Sequence, residues 1–261
     1  MDTILQLHYV KKYFSSKPGL FSHQVHMVKA VDGVNLSVMG GESLSIVGES
    51  GCGKTTLVRM MIGLYPCDEG KIIFNGEDIA SRGKALLALR QSMQIVFQDP
   101  HSSLDPRYTI RQILYEPMGL RPDLFRVSSK KDARVSELLK ATGLSYDMLD
   151  RYPHEFSGGE RQRIAIARAL VPSPKILILD EAVSALDVLI QKQILDLLTD
   201  LRRKFNLTYV FITHNMRVAR KISDRVAVMF QGKVVEIDST ENIFNVPQHP
   251  YTKQLLTAAH I

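Results

Sequence analysis

The hydrophobic pattern of this chain alternates between short apolar runs and longer amphipathic stretches. Ser43–Val47 and Lys175–Leu179 are largely apolar without interruption, which is typical of parallel strands covered on both faces. Val34–Val38 has an apolar residue at every second position and predicts a strand with one buried face. Ile4–Phe14 alternates less regularly and predicts an edge strand.

Helical periodicity follows several of these strands. It predicts helices at Glu160–Leu170 and Val188–Phe205 and a terminal helix at Tyr251–Ala259. Further strands are predicted at Gly70–Phe74, Met93–Phe97, Thr208–Thr213, Arg225–Phe230 and Lys233–Ile237. The last two strands form a predicted hairpin around Gln231 and Gly232. Strands that alternate with helices predict an α/β fold with a mainly parallel sheet.

The middle of the chain breaks this alternation. Between residues 99 and 156, prolines such as Pro106, Pro117 and Pro153 separate helical pieces, of which Ala133–Thr142 is one. We therefore expect one domain over 1–261: a core with a β subdomain at 1–98 and 157–246, an inserted helical subdomain at 99–156, and a short tail at 247–261.

Composition narrows the class of protein without deciding its function. The 261 residues are 45% hydrophobic and 23% charged, which is ordinary for a globular protein. No apolar run reaches the roughly 20 residues needed to cross a bilayer, so we expect a cytosolic protein. Two cysteines, Cys52 and Cys67, predict neither a disulfide framework nor a metal cluster. The net charge of +6 suits nucleotide phosphates, nucleic acid or an anionic membrane equally.

A phosphate-binding loop is predicted after the strand Ser43–Val47. The residues fit G-x-x-x-x-G-K-[ST], and a helical pattern follows them, as this motif requires. Glycines let several backbone N–H groups face one polyphosphate, and the helix N-terminus adds partial positive charge. Lys54 would neutralise phosphate oxygens, and the Thr55 hydroxyl would complete a Mg²⁺ shell. The loop consists of Gly48, Glu49, Ser50, Gly51, Cys52, Gly53, Lys54, Thr55 and Thr56.

Polar residues at other strand ends predict the rest of a phosphoryl-transfer site. Asp180 and Glu181 follow the apolar strand at 175–179, and His214 follows the strand at 208–213. Ligands of open α/β sheets gather at the carboxyl ends of strands, so these residues and Gly48 are expected at one crevice. Asp180 can hold Mg²⁺ through water, and Glu181 can polarise an attacking water.

At these residues the chain resembles ATP-binding subunits of ABC transporters, and the resemblance covers nearly all of its length. The matching features, in order, are the phosphate loop, a Gln-loop at Gln98, a signature at Ser157-Gly158-Gly159-Glu160, Asp180 with Glu181, a D-loop ending at Asp187, and the switch His214. The resemblance implies a P-loop NTPase fold with a RecA-like core, an antiparallel β subdomain and an inserted helical subdomain.

The resemblance also implies a role for each motif. Two cassettes would clamp two ATP molecules head to tail, so that the signature of each chain caps the nucleotide held by the other. Gln98 would bind Mg²⁺ or the attacking water, His214 would contact the γ-phosphate, and Asp187 would communicate across the dimer. The family pattern at Lys12-Tyr13-Phe14 favours Phe14 over Tyr13 for stacking on adenine.

This sequence departs from the family pattern at three positions. Phe156 and Glu160 stand where Leu and Gln are commoner in the signature, and Asn215 follows the switch histidine where Asp is common. Glu160 brings a carboxylate close to the expected trans phosphates, although it also suits a helix N-terminus.

Longer phrases are similar to the oligopeptide, dipeptide and nickel uptake subfamily. They are Val47–Lys54, Val96–Pro100 with Ser103–Arg107, Asp180–Asp187 and the tail Pro247–Thr252. The short tail after Thr252 favours the nickel or metal-chelate branch. For His249 in this tail, a structural position before a helix is expected rather than a metal ligand.

The resemblance implies partners and a location. We expect a second ATPase subunit in a heterodimer, two transmembrane permease subunits and an extracytoplasmic substrate-binding protein, with this chain peripheral to the cytoplasmic face of the membrane. The predicted function is ATP-driven import of peptides or nickel chelates, with ATP and Mg²⁺ as cofactors and no nucleic acid as partner. A soluble ABC ATPase acting on nucleic acid or ribosomes is the alternative, and a catalytically dead partner is disfavoured because Gln98, Glu181 and His214 are all present.

Overall fold

A computed structural model describes residues 2–15, 27–80, 83–99, 103–259 and 261 of the chain. Residues 100–102 of the predicted helical subdomain, including Pro100, lie outside the described residues. The chain divides into two compact units, one formed by Met1–Leu89 with Val210–Ile261 and the other by Arg90–Tyr209.

The first unit contains strands from two sheets. These strands are β1 (Thr3–Ser15), β2 (Met27–Met39), β3 (Ser43–Val47), β4 (Glu69–Phe74), β5 (Glu77–Asp78), β8 (Thr208–Thr213, which enters this unit at Val210), β9 (Arg225–Phe230) and β10 (Lys233–Ser239). The helices that follow them are α1 (Lys54–Met61), α2 (Lys84–Ser92, which continues into the second unit), α7 (Met216–Ile222), α8 (Thr240–Asn245) and α9 (Pro250–Ala258).

The antiparallel sheet of this unit has the order β2-β1-β4-β5. β1 pairs with β2 on one side and with β4 on the other. The expectation of an edge strand at Ile4–Phe14 is therefore wrong. Its irregular alternation comes from bulges, since the register of β1 shifts against both partners.

The second sheet of this unit carries the phosphate loop. β3 is buried at every residue and pairs in parallel with β9, and β9 pairs antiparallel with β10 around Gln231 and Gly232. The predicted hairpin is confirmed, and its first strand also belongs to the parallel sheet. Apolar residues of β3, β9, α7, α8 and α9 form one core, in which Val47, Met216, Val226, Ile243 and Tyr251 meet.

The second unit is mainly helical. Its elements are the parallel strands β6 (Met93–Val96) and β7 (Ile176–Asp180), the helices α3 (Ile110–Tyr115), α4 (Ser128–Thr142), α5 (Gly158–Leu170) and α6 (Val188–Phe205), and 3₁₀ turns at Glu116–Leu120, Tyr146–Asp150 and Pro153–Glu155. Within 103–156 the regular elements described are all helical. The unit extends beyond that interval on both sides, so a separate body at 99–156 stays a prediction.

The predicted bounds of α6 agree with the structure because both ends have local signals. The Asp187 side chain accepts a hydrogen bond from the Ile190 N–H, and Asn206 ends the helix in the left-handed conformation. Basic residues in the last turn suit the negative end of the helix dipole. Among the described residues, no helix is both long and apolar enough to span a bilayer.

Candidate functional site

The phosphate loop joins the buried strand β3 to helix α1 in the first unit. Gly53 precedes α1 in a left-handed conformation with φ of 112°, and Gly48 has φ of 153°. A β-carbon on Gly53 would lie 2.0 Å from the Ala30 carbonyl oxygen, and one on Gly48 would lie 2.2 Å from that of Met229. Both positions require glycine, because neighbouring backbone passes against the loop at each of them.

Lys54 is a buried cation. The residue is only 4% exposed, and its ammonium donates to the carbonyl oxygens of Gly48 and Glu49, each at 2.7 Å. The Cys52 sulfur lies 3.7 Å from the same nitrogen. No carboxylate of the described residues forms an ion pair with Lys54. A buried ammonium held only by dipoles creates a strong local preference for an anion.

Phe14 and Tyr13 differ in what holds them. The Tyr13 hydroxyl donates to Asp32 at 2.5 Å, and its backbone N–H donates to Asp68 at 2.7 Å. Phe14 is 38% exposed; its ring makes an edge contact with Tyr65, with centroids 5.7 Å apart, and the Lys12 ammonium lies 5.8 Å from the ring centroid. An exposed aromatic face is the one available for stacking on a flat ligand, so the geometry favours Phe14.

His214 lies exposed between β8 and α7 in the first unit. The next residue, Asn215, caps α7: its side-chain oxygen accepts from the N–H groups of Arg217 at 3.0 Å and Val218 at 3.4 Å. Asn and Asp serve equally well as N-caps, which gives a physical reason why Asn is tolerated here.

In the second unit, Ser157 and Glu160 form a capping box at the start of α5. The Ser157 hydroxyl accepts from the Glu160 N–H at 3.3 Å and donates to the Glu160 carboxylate at 2.7 Å. The same carboxylate accepts from the Ser157 N–H at 2.9 Å. The hydrogen bond from the Ser157 hydroxyl, and after it the bond from the Ser157 backbone N–H, hold the pKa of Glu160 below its usual value. The carboxylate is thus turned back onto its own helix end, which the S-x-x-E spacing could have indicated.

Gly159 brings the predicted signature next to the predicted D-loop. A β-carbon on Gly159 would lie 2.9 Å from the Ile190 side chain in the first turn of α6. Asp187 caps that turn. The starts of α5 and α6 therefore lie against each other in the second unit.

Asp180 is the last residue of β7 and Glu181 follows it, and both residues are partly exposed. Glu181 has φ of 48°, a left-handed conformation that a non-glycine residue adopts at some cost. The turn is held by Ser184, whose N–H and hydroxyl donate to the Glu181 carbonyl at 3.0 and 2.9 Å. Gln98 is exposed after β6 in the same unit.

The structure divides the predicted residues between its two units. The first unit holds Phe14, the loop from Gly48 to Thr56, and His214. The second holds Gln98, the signature from Ser157 to Glu160, Asp180, Glu181 and Asp187. The sequence patterns did not indicate that Tyr251 contacts the phosphate loop. Its hydroxyl accepts from the Glu49 N–H at 3.1 Å, and no local pattern predicts a contact between residues 202 positions apart.

Sequence relatives of this chain are transport ATPase subunits. Residues 31–184 match the family described as "ABC transporter". The whole chain is 50% identical to the oligopeptide transport ATP-binding protein AppF of Bacillus subtilis, of which it spans 79%. It is 45% identical to the glutathione import ATP-binding protein GsiA of Pectobacterium atrosepticum and spans 42% of that longer protein.

Solved structures with the same fold are cassettes of the same kind. CbiO1 from Clostridium perfringens, part of the transporter complex cbiONQ, superposes with a TM-score of 0.80 at 29% identity over 94% of this chain and 92% of its own. The ATP-binding cassette MJ0796, solved as a dimer with ADP and Pi, gives 0.78 at 28% identity over 91% and 99%. With the loop and capped helices described above, these matches establish that the chain belongs to the ABC transporter family, as one of its ATP-hydrolysing subunits.

Proposed function

We propose that this chain binds ATP at Gly48–Thr56 and uses its hydrolysis to drive the import of peptides. The observation that carries the proposal is the buried charge of Lys54, which among the described residues bonds to carbonyl oxygens and to no carboxylate, in a loop whose backbone is tightly fitted. Binding the β- and γ-phosphates would supply the anion that this ammonium lacks. Gly51, Gly53, Thr55 and Thr56 would offer backbone N–H groups, and Phe14 would stack on the adenine.

Mg²⁺ fits the residues that the chain offers. Magnesium keeps several waters and takes few protein ligands besides phosphate oxygens. The exposed Thr55 hydroxyl, the partly exposed Asp180 and the exposed Gln98 are oxygen donors suited to that coordination. When bound, Mg²⁺ supplies charge neutralisation for the phosphates.

Glu181 and His214 are the proposed catalytic side chains. Glu181 would orient and polarise the attacking water, and its left-handed backbone would set the direction in which the side chain leaves the chain. His214 would donate to the γ-phosphate from its exposed position before α7. Phosphoryl transfer needs mainly such positioning and charge stabilisation.

A second cassette would complete the site. Ser157, Gly158, Gly159 and Glu160 form a capped helix start whose N–H groups suit a phosphate held by another chain. Asp187 lies beside them through the contact between α5 and α6 and would transmit closure across the dimer. We propose a heterodimer with a different ATPase subunit. The dimeric state of MJ0796 supports the dimer but not the choice of partner.

The permeases would contact the second unit near the segment that follows Gln98. Residues 103–108 with Glu116 and Arg168 line a surface groove of about 660 Å³. Asp105 and Arg107 pair at 2.7 Å, and the hydrogen bonds and charge of Arg107 lower the pKa of Asp105 to about 2. We place the chain at the cytoplasmic face of the membrane, with two permeases and an extracytoplasmic binding protein.

Peptides are the cargo that the relatives favour. AppF is named for oligopeptides and GsiA for glutathione, itself a small peptide. Nickel stays a prediction without a relative that supports it among these matches. The nucleic-acid alternative depended on the charge of +6 alone and is not favoured by the transporter relatives.

The test is the ATPase rate of the assembled transporter with loaded binding proteins. We expect a peptide-loaded binding protein to raise the rate several-fold, and the Glu181→Gln variant to lose nearly all turnover in both conditions. Stimulation by a nickel-loaded protein alone would replace peptide by metal as the cargo. Unchanged turnover in Glu181→Gln would remove the proposed catalytic role of Glu181.

A further inference from the structure

We propose that Tyr251, in the first turn of α9, is a positioning residue that orients the phosphate loop for nucleotide. The inference deepens the proposed function and rests on it, because it takes Gly48–Thr56 as the nucleotide site. It gives a role to the tail Pro247–Thr252, which the sequence marked as a subfamily feature.

The peptide group between Gly48 and Glu49 is held from both ends. Its N–H, on Glu49, donates to the Tyr251 hydroxyl at 3.1 Å. Its carbonyl oxygen, on Gly48, accepts from the Lys54 ammonium at 2.7 Å. Since the peptide group is planar, fixing its N–H also fixes the direction of its carbonyl. Tyr251 therefore sets the orientation of an acceptor that holds Lys54.

The Tyr251 side chain has little freedom to leave this position. It is 5% exposed, and its ring lies against Phe230 at the end of β9, with centroids 4.1 Å apart. Burial raises the pKa of Tyr251, so the hydroxyl stays neutral at physiological pH. It places no negative charge beside the phosphates.

The start of α9 is itself fixed by Glu236 on β10. The Glu236 carboxylate accepts from the N–H groups of Gln248 at 2.8 Å and His249 at 3.0 Å and from the Thr252 hydroxyl. Burial raises the pKa of Glu236, but these hydrogen bonds together outweigh it and keep the pKa below its usual value. His249 caps α9 by accepting from the Tyr251 N–H at 3.2 Å, which agrees with its expected structural position.

The hairpin β9–β10 gives the loop a second support. The Gly232 N–H donates to the Cys52 carbonyl at 2.9 Å. The loop is thus held on one side by Gly232 and on the other by Tyr251. Removing the Tyr251 hydroxyl should loosen the Gly48–Glu49 peptide while leaving the Gly232 support in place.

The experiment compares Tyr251→Phe with the wild-type chain. This change removes only the hydroxyl and keeps the ring against Phe230. We measure the affinity for a fluorescent ATP analogue in the purified chain, and KM and kcat in the assembled transporter. We expect the Kd and KM for nucleotide to rise roughly 2- to 10-fold, as for loss of one hydrogen bond, with kcat within about two-fold of wild type.

Tyr209→Phe is the matched control. The Tyr209 hydroxyl is also buried and also bonds to backbone, since it donates to the Leu198 carbonyl at 2.8 Å in the second unit. Its loss should lower the melting temperature without changing nucleotide affinity. If Tyr251→Phe and Tyr209→Phe lost nucleotide affinity equally, the loss would be due to lower stability, and the proposal would be overturned.

Two further variants separate the possible failures. Glu236→Gln leaves Tyr251 intact but weakens the support of α9, so a smaller rise in Kd is expected even if Tyr251→Phe does not fold. Lys54→Ala should abolish binding. If Lys54→Ala still bound nucleotide, the nucleotide site itself would be refuted. If Lys54→Ala lost binding while Tyr251→Phe and Glu236→Gln both kept wild-type affinity, only the role of Tyr251 would be refuted.

Discussion

Glu160 is the residue whose structural position most changes its expected effect. From the sequence its carboxylate was expected near the trans phosphates, but in the structure it accepts two hydrogen bonds from Ser157 of its own helix end. The Ser157 hydroxyl proton is therefore already donated to a charged acceptor. A phosphate from another chain has to compete with that carboxylate for the hydroxyl.

Replacing this carboxylate by an amide should ease closure on ATP. Thr109 and Gln112 form the same capping box at α3 with an amide, so Glu160→Gln can keep the cap. We expect the ATP concentration for half-maximal ATPase activity to fall roughly three- to ten-fold, because about 1 kcal/mol of repulsion between carboxylate and phosphate is removed. The measurement is ATP-dependent turnover of the assembled transporter.

Gln112→Glu is the control for this prediction. It adds a carboxylate to the equivalent capping box at α3, where no phosphate is proposed, and should leave the ATP dependence unchanged. An unaltered ATP dependence in Glu160→Gln would mean that the carboxylate does not oppose the phosphate.

At the scale of elements, two hairpin turns of the first unit have the same backbone but different surroundings. Asn75-Gly76 joins β4 to β5 and Gln231-Gly232 joins β9 to β10, each with positive φ at both residues. A β-carbon on Gly76 would meet nothing within 4 Å, whereas one on Gly232 would lie 2.5 Å from the Lys29 carbonyl oxygen. Only the second turn lies against the phosphate loop, through Gly232 and Cys52.

The two glycine-to-alanine variants should therefore behave differently. Gly76→Ala should cost about 1 kcal/mol of unfolding free energy, the usual strain of a left-handed alanine. Gly232→Ala should cost at least about twice as much, because the turn has to move away from the Lys29 carbonyl. That movement should disturb the hydrogen bond from Gly232 to Cys52 and so weaken nucleotide binding. Chemical denaturation and nucleotide titration measure the two effects. Equal costs with unchanged affinity would show that the turn does not support the loop.

At the scale of the whole molecule, the proposed ATP contacts are divided between two units and two chains. The phosphate loop and α9 belong to the first unit, and the signature belongs to the second. In a head-to-tail dimer, ATP would contact the loop of one chain and the signature of the other. Binding and closure can then be separated by substitution.

Hydrogen exchange should reveal this separation. With ATP, Ser157→Arg should gain protection at residues 48–56 and 250–258 but not at 157–160, because the arginine obstructs closure and spares binding. We expect Glu181→Gln to close without turnover, so it should gain protection at all three segments when its partner subunit is present. Thr109→Arg, which removes an equivalent helix cap from α3, should match the wild type. Protection of 157–160 in Ser157→Arg would contradict the head-to-tail arrangement.

The sequence alone determined the local parts of this protein. The motif Gly48–Thr56, the strands β3 and β8 and both ends of α6 were predicted as the structure has them. Each depends on neighbours in the chain: apolar runs, a glycine-rich turn, and caps within a few residues of a helix end. The capping box of Ser157 and Glu160 was equally local, and its spacing was available to sequence reasoning.

Only the tertiary structure decided which distant segments support the nucleotide loop. The central place of β1 depends on partners on both sides, and the contact between Glu49 and Tyr251 joins residues 202 positions apart. Lys54 is only 4% exposed, a degree of burial that the motif itself does not state. Burial and long-range hydrogen bonds arise only when the chain packs. The sequence can therefore locate the motif, whereas the folded structure decides how buried its side chains are and which distant groups they bond to.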